Sequence, residues 1–335
     1  MKLVLLGAGS LGLLFAGKLK AVHAEVSLIA RESLQARQLH SRGLVLSGPS
    51  CGNGRTVAVS CTHFGSWECA TWMAEADWIL IMLKQQHLTD DVIAYIARHI
   101  AHTKRKNTKL LCFQNGIGHA ERLARHIPAE RIYVAVTTEG ARKTGFCRVE
   151  HTGSGQTWFG RAFPDPSGES GTCAGGRNGR KTEKNDERLE KIMQKAGFAT
   201  YLSKKMDRFV WNKLLINSVI NPLTAIHRIP NGQLLRSPFL LTRMERLFSE
   251  GRALARSLGI EVEDDAWHKL IEVCAATAEN HSSMLQDVLS GRRTEIDWIN
   301  GSMLAMAAGA GIAMPCHREV YEQVKGLEND RTQDV

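Results

Sequence analysis

The chain has 335 residues, 43% of them hydrophobic and 23% charged, with a formal net charge of +9. That length exceeds one ordinary core and suits two domains of a globular protein. No apolar run reaches the roughly 18 residues of a membrane span, and the basic residues are interleaved with acids instead of forming the stripe that a nucleic-acid footprint needs, so neither membrane nor nucleic acid is expected as a partner.

The first apolar stretch, Met1 to Leu6, breaks at Gly7-Ala8-Gly9. It therefore reads as a strand entering a Gly-rich turn and not as a signal peptide, so a cytoplasmic chain is expected. Strands are then expected over Lys2–Leu6, Glu25–Ile29, Asp77–Leu83, Lys109–Phe113 and Arg131–Thr137, with helical patterns over Leu11–Lys20, Leu88–His99 and Gly118–His126 between them. Such alternation predicts a parallel sheet covered on both faces. From Cys147 to Gly160 a polar, Gly-punctuated alternation reads as an antiparallel edge hairpin. Pro164–Glu187 is nearly devoid of large apolar residues and reads as a mobile surface loop. After a helix over Leu189–Ala196 and a strand over Ala199–Leu202, the pattern turns all-helical: Met206–Ile220, Phe239–Ser257, Asp265–Glu279 and Ile296–Ala308 repeat apolar residues every three to four positions. The expected architecture is an α/β Rossmann-type domain over 1–204, with the loop as an insertion, followed by an all-α domain over 205–335. The eight cysteines show neither a C-x-x-C pair nor zinc spacing and read as reduced thiols, with no metal site.

Gly7-Ala8-Gly9-Ser10-Leu11-Gly12 spells G-x-G-x-x-G directly after a strand and at the opening of a helix. In that context the three glycines serve a tight turn, a close approach of backbone to a pyrophosphate and close helix–strand packing, and the phosphates meet the positive helix end. An acidic residue at the end of the second strand would bind a ribose 2′-hydroxyl; here the strand ends at Arg31, whose guanidinium suits a 2′-phosphate and so NADP(H). Glu32 follows at once and keeps the alternative of a solvated charge pair open. Lys84 and Asn115 fall at the carboxyl ends of later strands, where ligands bind in open α/β sheets, although Asn115-Gly116 is by spacing equally a good turn. A dinucleotide and an anionic substrate also account for the positive charge.

The second half offers one polar stripe on an otherwise apolar helix. At 3.6 residues per turn, Lys213, Asn217 and Asn221 share a face, with Leu214, Leu215 and Val219 on the others. Carbonyl reduction leaves an alkoxide that needs a proton donor and hydrogen-bond donors, which a partly desolvated Lys and Asn amides can supply. A buried Asn pair satisfied within the fold is the plainer reading of the same pattern.

The run Asn212-Lys213-Leu214-Leu215-Ile216-Asn217, continuing to Asn221-Pro222-Leu223-Thr224-Ala225, resembles the ketopantoate reductase (2-dehydropantoate 2-reductase) family. So do Pro230-Asn231-Gly232, Glu279–Asp287, Arg293–Gly301, Gln114–Gly118 and the Gly-rich turn, in one order over nearly the whole chain. The resemblance implies reduction of ketopantoate to (R)-pantoate with NADP(H), Lys213 donating the proton. It implies that Asn115, Lys213, Asn217, Asn221, Asn231, Asn280 and Ser283 bind substrate. It further implies that Gly7 to Gly12, Arg31, Lys84, Asn115, Ala141 and Glu295 bind cofactor. On spacing alone Ser283 is as well an N-cap and Glu295 a surface charge. The Thr137-Thr138-Glu139-Gly140 stretch and the 164–187 segment depart from the family pattern. A small-molecule substrate is the partner implied, with a homodimer as an option for assembly. Two alternatives remain: a reductase of another small branched 2-keto acid, and a non-catalytic NADP-binding sensor.

Overall fold

The computed structural model describes residues 1–23, 25–101, 107–164 and 177–329. They form two compact units, Met1–Gln114 with His119–Met206, and Asn115–Gly118 with Asp207 onward. Strands of the first unit are β1 (Leu3–Leu6), β2 (Val26–Ala30), β3 (Leu44–Gly48), β4 (Gly52–Val57), β5 (Ser60–His63), β6 (Trp78–Ile81), β7 (Lys109–Cys112), β8 (Ile132–Thr137), β9 (Gly140–Gly145), β10 (Arg148–Gly153), β11 (Gln156–Arg161) and β12 (Ala199–Leu202). Its helices are α1 (Ser10–Lys20), α2 (Ser33–Arg42), α3 (Trp67–Glu75), α4 (Asp90–Ala101), α5 (His119–Ala124) and α6 (Arg177–Lys195).

The larger sheet runs β12-β11-β8-β7-β6-β1-β2-β5. From β8 to β5 every pairing is parallel, and β11 turns antiparallel against β8. Strands β1, β6, β7 and β8 are buried at every position, as continuous apolar runs in a parallel sheet must be. Phe15 of α1 stacks on Phe198 at 4.0 Å between centroids and meets Phe113 edge-on at 5.0 Å, so the helix that opens the Gly-rich turn is anchored to the core.

Two stretches depart from their expected structure. The stretch 147–160 is not one hairpin: β10 pairs with β9 and β3 in a second sheet, β4-β3-β10-β9, while β11 joins the main sheet through β8. A period-two pattern marks both strands but not their partners. The segment read as a loop over 164–187 is helical from Arg177 onward, and 165–176 lies outside the described residues. Its helix docks through one carboxylate: buried Asp186 takes hydrogen bonds from Lys109 Nζ and, at 2.8 Å, from the Tyr133 hydroxyl. Polar composition hid a helix whose anchor is an ion pair and whose apolar face, Leu189, Ile192 and Met193, begins only near its end.

The second unit is helical: α7 (Met206–His227), α8 (Pro238–Ser257), α9 (Ala266–Ala276), α10 (Ser283–Leu289), α11 (Asn300–Gly309) and α12 (Pro315–Asn329). Leu214, Leu215, Val219, Leu247 and Met303 lie in its core. Helix α7 runs past its expected end at Ile220 and through Pro222. Proline lacks the N–H that would bond the carbonyl four residues earlier, here Ser218; Asn300 Nδ2 donates to that oxygen at 2.9 Å instead. The buried side chain of Asn300 thus lets α7 carry its polar face through a helix-breaking residue.

Candidate active site

The Gly-rich turn leaves β1 and enters α1. Gly7 has φ +120°, and a Cβ there would stand 2.9 Å from the Met82 carbonyl carbon; at Gly12 it would stand 1.8 Å from the Gly7 carbonyl oxygen. Those two glycines are demanded by the protein itself. Gly9 is different. It has φ −81°, which any residue adopts, and nothing lies within 4 Å of its would-be Cβ. Gly9 also caps α1 without a side-chain hydrogen bond, leaving the positive helix end facing that space. Neither packing nor conformation requires glycine there, whereas the close approach of a pyrophosphate does, so the turn fits a dinucleotide. Ala8 is buried, Leu11 packs on the core, and Ser10 Oγ accepts from the Lys143 N–H at 3.1 Å.

Parallel register carries the site along the sheet edge. Leu6, Ile81 and Cys112 stand side by side, so the residues following them line the same carboxyl edge. Arg31 follows β2, is exposed, and pairs with Glu32 at 3.1 Å. Lys84 follows β6 and is partly buried. Both cations act on His87, whose pKa is lowered by burial first and then by Arg31 and Lys84. Gln114 follows β7; it is buried, and neither amide atom has a hydrogen-bond partner among the described residues. A buried amide with both functions unmatched normally answers to a ligand or water. Gln114 stands in the Gln114–Gly118 motif with no role implied for it, because burial is not visible in a single polar letter. Ala141 lies on β9, partly buried against the core.

In the helical unit, Lys213 is partly buried on α7, and burial holds its ammonium pKa down to about 8, against an upward pull from the Glu295 carboxylate. Glu295 is itself buried and accepts from Asn115 Nδ2 at 3.0 Å, so it is not a surface charge. Asn115 is held in place by its neighbours: a Cβ on Gly116, whose φ is +78°, would stand 2.1 Å from the Trp298 carbonyl oxygen, and Ile117 N–H donates to that oxygen at 3.2 Å. Asn217 is partly buried and Asn221 buried, on the same helix as Lys213. Asn231 is buried; its Nδ2 donates to Thr277 Oγ1 at 2.9 Å, its Oδ1 has no partner among the described residues, and its backbone N–H donates to the Asn280 carbonyl at 3.0 Å. The side chains of Asn280 and Ser283 are exposed. The N-cap of α10 is Ser282, accepting from Leu285 N–H at 3.1 Å, not Ser283. Ser283 is therefore spared a capping role.

The helical unit thus carries an ammonium tuned toward neutrality that feels a buried carboxylate, itself bonded by Asn115, a combination able to give up a proton near neutral pH. Among the described residues no group of His, Cys, Asp and Glu could hold a metal ion, and no helix is long and apolar enough to cross a membrane.

A Rossmann-type sheet with a dinucleotide turn, followed by a helical unit bearing this site, defines a two-domain dinucleotide-dependent oxidoreductase. The family models "Ketopantoate reductase PanE/ApbA" and its C-terminal counterpart match residues 3–163 and 205–328. The 2-dehydropantoate 2-reductase of Bacillus subtilis is 31% identical over 333 residues, covering 98% of each chain. Among solved structures, a probable 2-dehydropantoate 2-reductase from Bacillus subtilis is 30% identical with a TM-score of 0.75, covering 98% of this chain and all (100%) of that one. A PanE/ApbA family ketopantoate reductase from Ralstonia eutropha JMP134 is 25% identical with a TM-score of 0.82, covering 99% of this chain and 100% of that one. The chain belongs to the ketopantoate reductase PanE/ApbA family.

Proposed function

We propose that this protein reduces 2-dehydropantoate to (R)-pantoate with NADPH, a step toward pantothenate and coenzyme A, with Lys213 as proton donor. The observation that carries the reading is the Lys213 ammonium, lowered to about 8 by burial and opposed by Glu295. A general acid works best when its pKa lies near the operating pH. At neutral pH Lys213 is still largely protonated, yet it gives its proton up more readily than a solvated lysine, to the oxygen of a carbonyl becoming an alcohol. Glu295, fixed by Asn115, favours the protonated form before the transfer. Asn217, Asn221 and Asn231, with Asn280 and Ser283, are assigned to the substrate's hydroxyl and carboxylate, and amides do so without adding a charge that would disturb Lys213.

Gly7 to Gly12, Arg31, Lys84 and Ala141 in the first unit, and Asn115 and Glu295 in the second, are assigned to NADPH, which when bound would supply a hydride for the carbonyl carbon. Cytoplasmic residence and a small-molecule partner belong to the same reading, with a homodimer as the assembly to be checked by sizing chromatography. The test is NADPH oxidation with 2-dehydropantoate, repeated with NADH and across small branched 2-keto acids. The highest kcat/KM should fall on 2-dehydropantoate with NADPH. A clear preference for another 2-keto acid would replace the substrate, and no turnover of any would remove the assignment.

A further inference from the structure

Arg31 is an incomplete site for a 2′-phosphate, being exposed and paired with Glu32 at 3.1 Å. A second cation stands at the Gly-rich turn. Lys143 lies on β9, where side chains alternate between faces. Its neighbour Arg142 turns away to bond Glu150 through Nη2 at 2.6 Å. The Lys143 backbone N–H donates to Ser10 Oγ at 3.1 Å, and its ammonium reaches the Ala8 carbonyl at 3.3 Å, inside the turn itself. The ring of Phe146 lies 5.3 Å from the same ammonium.

The hairpin tip that carries Lys143 is tied down from α2. Buried Gln35 donates from Nε2 both to the Ala8 carbonyl at 3.1 Å and to the Phe146 carbonyl at 3.0 Å. One amide thus clamps the turn, α2 and the hairpin together and sets where the ammonium sits. The Lys143 pKa is lowered by burial first; Glu32 opposes this and Arg31 adds to it. A partly buried ammonium beside the positive helix end, bonded to the Ala8 carbonyl and facing the Phe146 ring, is suited to an anion.

We propose that Lys143 is a specificity-determining residue for the cofactor, joining Arg31 to clamp the 2′-phosphate of NADP(H) from the β9–β10 hairpin. The 2′-phosphate is favoured over the pyrophosphate because Gln35, in the first turn of α2 directly after Arg31 and Glu32, bonds the Phe146 carbonyl and so ties the hairpin that bears Lys143 to the residues following β2, where the adenosine ribose lies in a Rossmann fold. The inference rests on the NADPH reading above. Gln35 acts through Lys143 and is a positioning residue.

The experiment is calorimetric titration of the apoprotein with NADPH, NADH, adenosine 2′,5′-bisphosphate and adenosine 5′-phosphate, for the wild type, Lys143→Met and Lys143→Arg. Loss of one charge-assisted contact should weaken NADPH and the bisphosphate about tenfold or more in Lys143→Met. NADH and the monophosphate should stay within about twofold, and Lys143→Arg should restore most of the loss. Equal weakening of both members of each pair would assign Lys143 to the pyrophosphate or to the fold and overturn the proposal. Unchanged NADPH binding in Lys143→Met, beside a wild type that prefers NADPH, would overturn it while leaving the cofactor reading intact. A wild type that does not prefer NADPH to NADH would overturn the cofactor reading and the proposal together.

Discussion

Replacing Lys213 by Met should abolish turnover and at the same time stabilise the protein. The lysine is partly buried and its pKa falls from 10.5 to about 8 in the fold. In the unfolded chain it stays near its ordinary value, so between pH 8 and 10.5 the unfolded state binds more protons and stability rises with pH. Below pH 8 the deficit is complete. At about 1.36 kcal/mol per pKa unit it amounts to about 3 kcal/mol at pH 7 and shrinks to under ~1 kcal/mol by pH 10. Met preserves the length and apolar stem while removing the charge. Urea unfolding from pH 6 to 10 should therefore show Lys213→Met more stable by about 1–3 kcal/mol at neutral pH, with the two curves converging as pH rises. In the wild type, kcat/KM for reduction should be level below pH 8 and fall above it, as the acid loses its proton. A variant no more stable than wild type at pH 7, together with a rate that holds level through pH 9, would refute the depressed lysine and the role given to it.

Gly9→Ala and Gly12→Ala separate ligand from fold at one turn. The first meets empty space and should keep the melting temperature while weakening NADPH about tenfold or more by calorimetry; the second drives a methyl into the Gly7 carbonyl and should cost about 1–3 kcal/mol of stability or more. Glu295→Gln removes the carboxylate that raises the Lys213 pKa, so the falling limb of the kcat/KM profile should move to lower pH; a limb that stays in place would show that Glu295 does not act on the lysine. In the buried Lys109–Asp186–Tyr133 cluster, Lys109→Met leaves a carboxylate without its cation and should cost about 3–5 kcal/mol, whereas Tyr133→Phe should cost about 1–3 kcal/mol, both read from urea midpoints.

Local features were legible in the sequence because their physics is local. The Gly7–Gly12 turn places its conformational demands within six residues, and strands β1, β6, β7 and β8 announce themselves as apolar runs that only a covered sheet can bury. The common face of Lys213, Asn217 and Asn221 follows from helical geometry alone. Helix α7 was foreshortened at Ile220, ahead of Pro222, because the side chain that satisfies Ser218 comes from Asn300, far along the chain. Helix α6 was legible only from Leu189; its earlier turns were not, because they dock by a buried ion pair to Lys109 and a hydrogen bond from Tyr133, and polar letters do not state which of them are buried. The strands β10 and β11 were legible as extended but are not each other's partners, since pairing is decided by which edges meet.

A dinucleotide turn, a two-part architecture and a polar helix face carrying one lysine can be read from the residues in order. That Glu295 is buried against Asn115, from opposite halves of the chain, and that burial brings Lys213 to about 8, emerge only once the chain is folded. A pKa depends on desolvation and on neighbouring charge, and both are properties of what folds around a residue. The residue type supplies an ammonium; its surroundings make it an acid that works near neutral pH.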